Sequence, residues 1–423
     1  MIYTKYFKRN NFTPSIKHEP DKDLGLCIVL PSYNETELEG ALNALANCER
    51  PACAVEVIVV VNYPEDASAA IVANALECIK VTETADRKVN NNSFRFLAIP
   101  AFNLKKKHAG VGLARRAGMD EAAWRLLKSK CDYKIIACFD ADSNCSENYL
   151  CELEQLWIKK PETAACSIRY EHPLEGDNFS PEVYQAIAQY ELHLRYYVDA
   201  GRYIKHPFSY QTVGSSMACS ASTYIKVGGM SKNKAGEDFY FLQKIIPHGN
   251  FEELNSAIVF PSPRPSDRVP FGTGRAISKH LEESQHEYLT YNFDSILSLK
   301  AFIETAPNTL FNASKNTIAK LHFQQPEPLR DYLEMNGFLQ AIEEINKNTA
   351  HAATFKKRFF LWFDAFKLLK YLNYANEHHY KRMPICSEAS KLAQVLNLKF
   401  NPNNPSAIEL LNTFREFNLR VRR

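Results

Sequence analysis

Asp140-Ala141-Asp142 closes the apolar run Ile135-Ile136-Ala137-Cys138-Phe139. A buried strand that ends in two carboxylates delivers negative charge to the carboxyl edge of a sheet, where open α/β sheets bind ligands. Hard divalent cations take oxygen ligands, commonly one or two carboxylates plus substrate phosphates. The spacing therefore suits Mn2+ or Mg2+ bridging a diphosphate; the plainer reading is a solvated strand end. A second acidic pair, Glu237-Asp238, follows Gly236 at the start of a helix. There it serves either in acid/base work or as an ordinary helix cap. Lys107, Arg115 and Arg116 flank the turn Gly110-Val111-Gly112. Helix N-terminal amides and guanidinium forks suit phosphate, but of two consecutive arginines only one faces a ligand. The segment from Pro263 to Arg275 sets Arg264, Arg268 and Arg275 beside Gly272 and Gly274 on a Pro-rich loop. It reads as a lid closing over phosphates or as a plain surface connection.

These residues need a scaffold, and the hydrophobic pattern supplies one. Leu24–Leu30, Val55–Val61, Phe94–Ile99 and Lys134–Phe139 read as strands apolar on both faces. Helical spacing fills the gaps, over about Thr36–Cys48, Ala67–Ile79 and Leu113–Lys128. Strands alternating with helices predict an α/β fold with a mostly parallel sheet covered on both sides. After residue 150 the rhythm changes to a long helix at Val183–Tyr197, a small-residue strand at Gly214–Cys219 and a Gly228-Gly229 turn. Beyond about residue 285 the chain reads as helical, with a break at Pro326 and Pro328. We expect a catalytic domain over 1–284 and a helical C-terminal extension over 285–423.

The chain has 423 residues, 45% hydrophobic and 23% charged, enough for a large core. A net charge of +3 is small for this length and gives no electrostatic support to nucleic-acid binding. The 11 cysteines are scattered without a Cys-x-x-Cys pair. That argues for free thiols and a reducing, cytoplasmic setting. Residues 1–11 lack the apolar core of a secretory signal, and no uncharged apolar run of about 18 residues predicts a membrane-spanning helix. The segment 355–375 is aromatic, basic and helix-periodic. Such a helix either packs within its domain or lies peripherally at the inner membrane face.

Taken in order, the motifs resemble those of the family 2 glycosyltransferases. The first strand ends in Pro31-Ser32-Tyr33-Asn34-Glu35, matching that family's Pro-x-x-Asn-Glu turn. Gly112-Leu113-Ala114-Arg115 matches its Ala-Arg loop, Asp140 and Asp142 its Asp-x-Asp, Gly228-Gly229 its Gly-Gly turn, and Glu237-Asp238 its acidic pair. The match runs over roughly residues 24–275. One departure stands at the end of the second strand, where the family's Asp-Asp-Gly-Ser is replaced by Asn62-Tyr63-Pro64-Glu65. Asn presents a different hydrogen-bond pattern from a carboxylate, so UDP- and GDP-linked donors both stay open.

The resemblance implies a GT-A fold and a hexosyltransferase that moves a sugar from a nucleotide-diphospho-sugar to an acceptor hydroxyl with Mn2+ or Mg2+. It implies Asp142, with Asp140 and His280, as metal ligands. Asp238 becomes the general base of an inverting displacement, with Glu237 orienting the acceptor. Donor contacts fall to Pro31, Tyr33, Glu35, Asn62, Lys107, Arg115, Arg116, Asp140, Arg264 and Arg268. Acceptors of glycan, lipid-linked or small-molecule type all remain open. Two other readings compete: a catalytically degenerate nucleotide-sugar or glycan-binding scaffold, and a sugar nucleotidylyltransferase. The second would carry a Gly-rich, Lys-containing signature where Pro31–Glu35 stands.

Overall fold

The structure is a computed structural model and describes residues 2–105, 109–232, 236–268, 272–282 and 287–420. The chain divides into two compact units, one of Met1–Phe179 with Thr212–Ser278, the other of Ser180–Gln211 with Lys279–Arg423.

The first unit opens with helix α1 (Ile2–Arg9), strand β1 (Leu24–Ser32), α2 (Leu38–Asn47), β2 (Ala54–Pro64), α3 (Ala69–Val89) and β3 (Phe94–Leu104). It continues with α4 (Val111–Leu126), β4 (Ile135–Cys138), β5 (Asn144–Cys145), α5 (Tyr149–Lys159) and β6 (Ala165–Tyr170). After α6 (Pro181–Tyr203), a helix of the second unit, come β7 (Met217–Ser220), α7 (Ala221–Lys226), α8 (Glu237–Ile245) and β8 (Phe251–Phe260). Helix α9 (Thr273–Glu282) runs from one unit into the other.

The β-branched run of β2 is buried throughout because helices cover both its faces. Leu26, Ile28 and Leu30 pack with Val55, Val57, Val59 and Val61 against Leu42 of α2 and Leu153 and Trp157 of α5. On the opposite face Val29 and Val60 meet α4 at Gly118, where a Cβ would lie 2.5 Å from Val29. Each such Val or Ile, fully buried, contributes roughly 1.5–3 kcal/mol. A one-residue slip would exchange the two faces, so register is fixed by burial.

The eight strands are ordered β3-β2-β1-β4-β7-β6-β8-β5. β3, β2, β1 and β4 run parallel. β7 then lies antiparallel to both β4 and β6, and β5 pairs antiparallel with β8. The expectation of a mostly parallel sheet is corrected here: the sheet is mixed. Strands covered on both faces read as apolar in either direction, so direction was inferred from the intervening helices. Helix α6 stands between β6 and β7 in sequence but belongs to the second unit. β7 returns in the opposite sense to β6.

The second unit is helical apart from a short antiparallel pair, β9 (Leu289–Thr290) with β10 (Met383–Pro384). Its helices are α6, α10 (Phe293–Thr309), α11 (Lys315–Phe323), α12 (Glu327–Met335) and α13 (Phe338–Lys347). They continue with α14 (Ala352–Trp362), α15 (Ala365–His378), α16 (Ile385–Val395) and α17 (Ala407–Arg420). Pro326 and Pro328 mark the start of α12, where a missing N–H costs nothing. The aromatic stretch at 355–375 is two helices, because Asp364 accepts from the Lys367 amide and caps α15. Phe355, Phe359, Phe363, Leu368, Tyr371 and Leu372 are buried inside the unit, with Phe302 5.7 Å from Phe359, ring to ring. Among the described residues no helix is long and apolar enough to cross a membrane. All the cysteines are free.

Candidate active site

The carboxyl ends of β1 and β4 carry the first three acids. At the end of β1 the chain reverses through Asn34 in a left-handed conformation (φ 46°), which turns Glu35 inward. Glu35 is 5% exposed. Its Oε1 accepts from the amides of Thr36 and Glu37, at 2.9 and 3.0 Å. Arg264 forks onto both Glu35 oxygens at 2.8 and 2.7 Å, and Arg268 Nη1 donates to Oε2 at 3.1 Å. Burial alone would raise the Glu35 pKa; the Arg264 hydrogen bonds, the Glu37 amide and both guanidinium charges outweigh it and hold it at about 2. Glu35 is therefore the anchor of the Pro-rich loop.

Arg264 also reaches the acidic pair after β4. Its Nη2 donates to Asp142 Oδ2 at 2.8 Å. One pair of guanidinium nitrogens thus bridges the turn after β1 to the turn after β4. This does not neutralise Asp142: burial and the charge of Asp140 push its pKa up to about 6 against the pull of Arg264.

Asp140 has its own arginine. Arg115, from the first turns of α4, is 2% exposed and donates from Nη2 to Asp140 Oδ1 at 2.6 Å. Its Nη1 donates to Glu237 Oε1. Glu237 is 3% exposed, whereas Asp238 is half-buried. Burial pushes Glu237 up to about 7, with Arg115 opposing and Asp238 adding to the rise. Asp238 is also raised by burial, again opposed by Arg115.

The remaining candidates fall in different places. Arg116 turns the other way from Arg115, donating to Met230 O at 2.7 Å and Asn10 Oδ1 at 2.8 Å. Pro31 is in β1, and the Tyr33 carbonyl accepts from Arg268 at 2.8 Å. Tyr33 packs half-buried against the core cluster. Asn62 lies near the end of β2, 3% exposed, and its Oδ1 has no hydrogen-bond partner among the described residues. Next to it, Tyr63 stacks on Phe102 at 4.5 Å. His280 lies on α9 in the second unit. Lys107 lies outside the described residues, as do Val269, Pro270 and Phe271 of the loop. Gly214 enters the sequence reading as the first residue of the small-residue strand, not as a site candidate, and it lies ahead of β7. A Cβ there would fall 2.6 Å from Arg115 Nη1, so the guanidinium lies against the bare α-carbon. The only sequence signal was the small-residue run Gly214-Ser215-Ser216.

Five carboxylates (Glu35, Asp140, Asp142, Glu237, Asp238) meet three guanidiniums (Arg115, Arg264, Arg268), leaving 5 − 3 = 2 negative charges in excess. Burial is the largest cause of the raised Asp142 and Glu237, and the charges of Asp140 and Asp238 add to it. A divalent cation fits such a site in charge and in donor type, since carboxylate oxygen is a hard ligand. Among the described residues no group of three His, Cys, Asp or Glu side chains forms a protein-only metal cage. Asp142 and Asp140 would supply only part of such a cation's ligands.

No family model and no curated protein matches the sequence. Solved structures with some likeness include residues 1–349 of TarS from S. aureus in complex with UDP-GlcNAc, at TM-score 0.40 and 13% identity, covering 80% of this chain and 91% of that one. Mannosyltransferase PcManGT from Pyrobaculum calidifontis, in complex with GDP-Man and Mn2+, gives TM-score 0.34 and 13% identity over 100% and 94% of the two chains. Overlap this loose assigns no chemistry to the present chain, whose own residues have to carry it.

Proposed function

We propose that this protein is a glycosyltransferase of the family 2, GT-A type that moves a sugar from a UDP- or GDP-linked donor to an acceptor hydroxyl. The observation that carries the reading is the gathering of three acidic motifs, Glu35, Asp140/Asp142 and Glu237/Asp238, around Arg115 and Arg264 at the carboxyl ends of β1 and β4. Asp142 and Asp140 would hold a divalent cation, which when bound supplies charge neutralisation to the departing diphosphate. Asn62 would read the nucleobase through its unpaired Oδ1, which accepts an imino N–H of uracil or guanine. Arg264 and Arg268, held on Glu35 and Asp142, are placed to exchange those partners for donor phosphate.

Asp238 would act as general base. The acceptor oxygen attacks the anomeric carbon as its proton passes to the Asp238 carboxylate, and the bond from that carbon to the diphosphate oxygen breaks. A single displacement of this kind inverts the anomeric centre. Burial raises Asp238 above an ordinary aspartate and so strengthens it as a base, offsetting the helix N-terminus that would weaken it. The acceptor is a glycan, a lipid-linked sugar or a small molecule.

Calorimetry with UDP and GDP, each with and without Mn2+, tests the reading on wild type and Asp142→Ala. Binding should need the metal, and Asp142→Ala should weaken it by at least about tenfold, a loss of about 1.4 kcal/mol. Equal binding by the two proteins would remove the metal-diphosphate site. Donor binding without any hydrolysis or transfer would leave a scaffold.

A further inference from the structure

One guanidinium holds together four segments that lie far apart in sequence. Arg115 of α4 donates to Asp140 after β4 and to Glu237 at the start of α8, and rests on the bare α-carbon of Gly214 ahead of β7. The side chain is 3% exposed, and both terminal nitrogens are committed to carboxylates. It therefore offers no open face to a donor phosphate, the role its sequence context suggested. In each acidic pair the residue bound to Arg115 is matched by a neighbour, Asp142 or Asp238, that Arg115 does not bind.

We propose that Arg115 is a positioning residue: it locks Asp140 to Glu237 and thereby sets the separation between Asp142 at the diphosphate and Asp238 at the acceptor. Gly214 is small because the guanidinium occupies the space of its side chain. The assignment rests on the glycosyltransferase reading for its kinetic consequence but not for its geometry. A planar guanidinium spans two carboxylates in a fixed direction, whereas an ammonium is a point charge on a flexible stem. Lysine would preserve the charge and lose the spacing.

The test uses the full chain with Arg115→Lys, Arg115→Met and Gly214→Ala. A misplacement of about 1 Å costs on the order of a hundredfold in rate. Arg115→Lys should accordingly lose about a hundredfold in kcat while KM for the donor changes by less than about threefold. Gly214→Ala, which keeps Arg115 but displaces its guanidinium, should lose at least about tenfold in kcat. Lysine rescuing kcat to within about threefold of wild type would overturn the proposal, because charge alone would then suffice. A rise in donor KM with kcat unchanged would also overturn it, making Arg115 a phosphate contact.

A second readout is independent of the reaction. If wild type binds no nucleoside diphosphate, the functional reading has failed, yet the thermal midpoints of Arg115→Met, Glu237→Gln and the double variant still decide the geometry. A double variant no less stable than Arg115→Met supports the lock; additive losses overturn it. Should Arg115→Met fail to fold, Arg115→Lys replaces it in the cycle.

Discussion

At the scale of single residues, the direction in which a side chain turns is set by what lies beneath it. Asp140, Asp142, Glu237 and Glu35 are visible in sequence because each follows or opens a regular element. That Arg115 turns into the protein and Arg116 away, toward Asn10 and Met230, depends on which carboxylates lie beneath α4. Those carboxylates arrive from other strands, beyond the reach of any local pattern. The Gly228-Gly229 turn is similar: the sequence shows a turn and the structure explains why it takes two glycines. Both have left-handed φ, 83° and 78°. A Cβ at Gly228 meets nothing within 4 Å, whereas one at Gly229 would fall 2.1 Å from the Tyr6 hydroxyl. That hydroxyl cannot withdraw freely, since it donates to the buried Asp120 at 2.6 Å. Gly228→Ala should therefore cost only the left-handed penalty, about 1–2 kcal/mol. Gly229→Ala should cost at least about 2 kcal/mol more, by the same urea titration, as a steric clash is added to the strain. Tyr6→Phe should relieve part of the Gly229→Ala loss; equal losses at the two glycines would refute the packing argument.

At the scale of elements, strand positions came through well and strand direction did not. Burial on both faces makes β1, β2 and β4 unmistakable, but it is blind to direction, and the antiparallel strands β5 and β7 come after the strand–helix alternation ends. Helix α6 buries Ile187, Leu192 and Tyr196, and it also makes polar contacts with α17. Glu191, fully buried, accepts from Arg195 Nε at 2.8 Å and from Arg415 of α17 at 2.9 and 2.7 Å. One turn-pair further along, Asn418 of α17 donates to Asp199 at 3.1 and 2.9 Å. In the sequence these charges look like a solvated helix face. Breaking a buried ion pair from one side strands the other charge, at about 3–5 kcal/mol. Arg415→Leu should therefore lower the thermal midpoint sharply. Arg415→Leu combined with Glu191→Leu and Arg195→Leu should recover much of that loss, because apolar residues of similar size fill the space without a stranded charge. A triple variant less stable than Arg415→Leu alone would mean that the network itself, and not the avoidance of an unpaired charge, stabilises the contact of α6 with α17.

For the whole molecule, the site acids and two buried histidines give stability opposite slopes with pH. Asp142, at about 6, and Glu237, at about 7, bind protons more tightly in the folded state than in the unfolded one. Stability from each is thus present at low pH and falls as pH rises, for Asp142 between about 3.8 and 6, by at most about 1.4 kcal/mol per pH unit. His193 and His206 act in the opposite sense. Burial lowers them to about 3 and about 4, so the unfolded chain takes up protons that the folded chain refuses, and stability rises with pH up to the unfolded value near 6.5. Glu35, held at about 2, adds stability that is lost only as pH falls from about 4.5 toward 2, below this window. Between pH 4.5 and 6 the two acids and the two histidines thus pull the unfolding free energy in opposite directions. Asp142→Asn deletes one falling contribution. Relative to wild type, its stability should therefore climb by about 1.5 kcal/mol across the same interval, measured by chemical denaturation at the two pH values. Parallel profiles for wild type and variant would show that folding does not raise the Asp142 pKa.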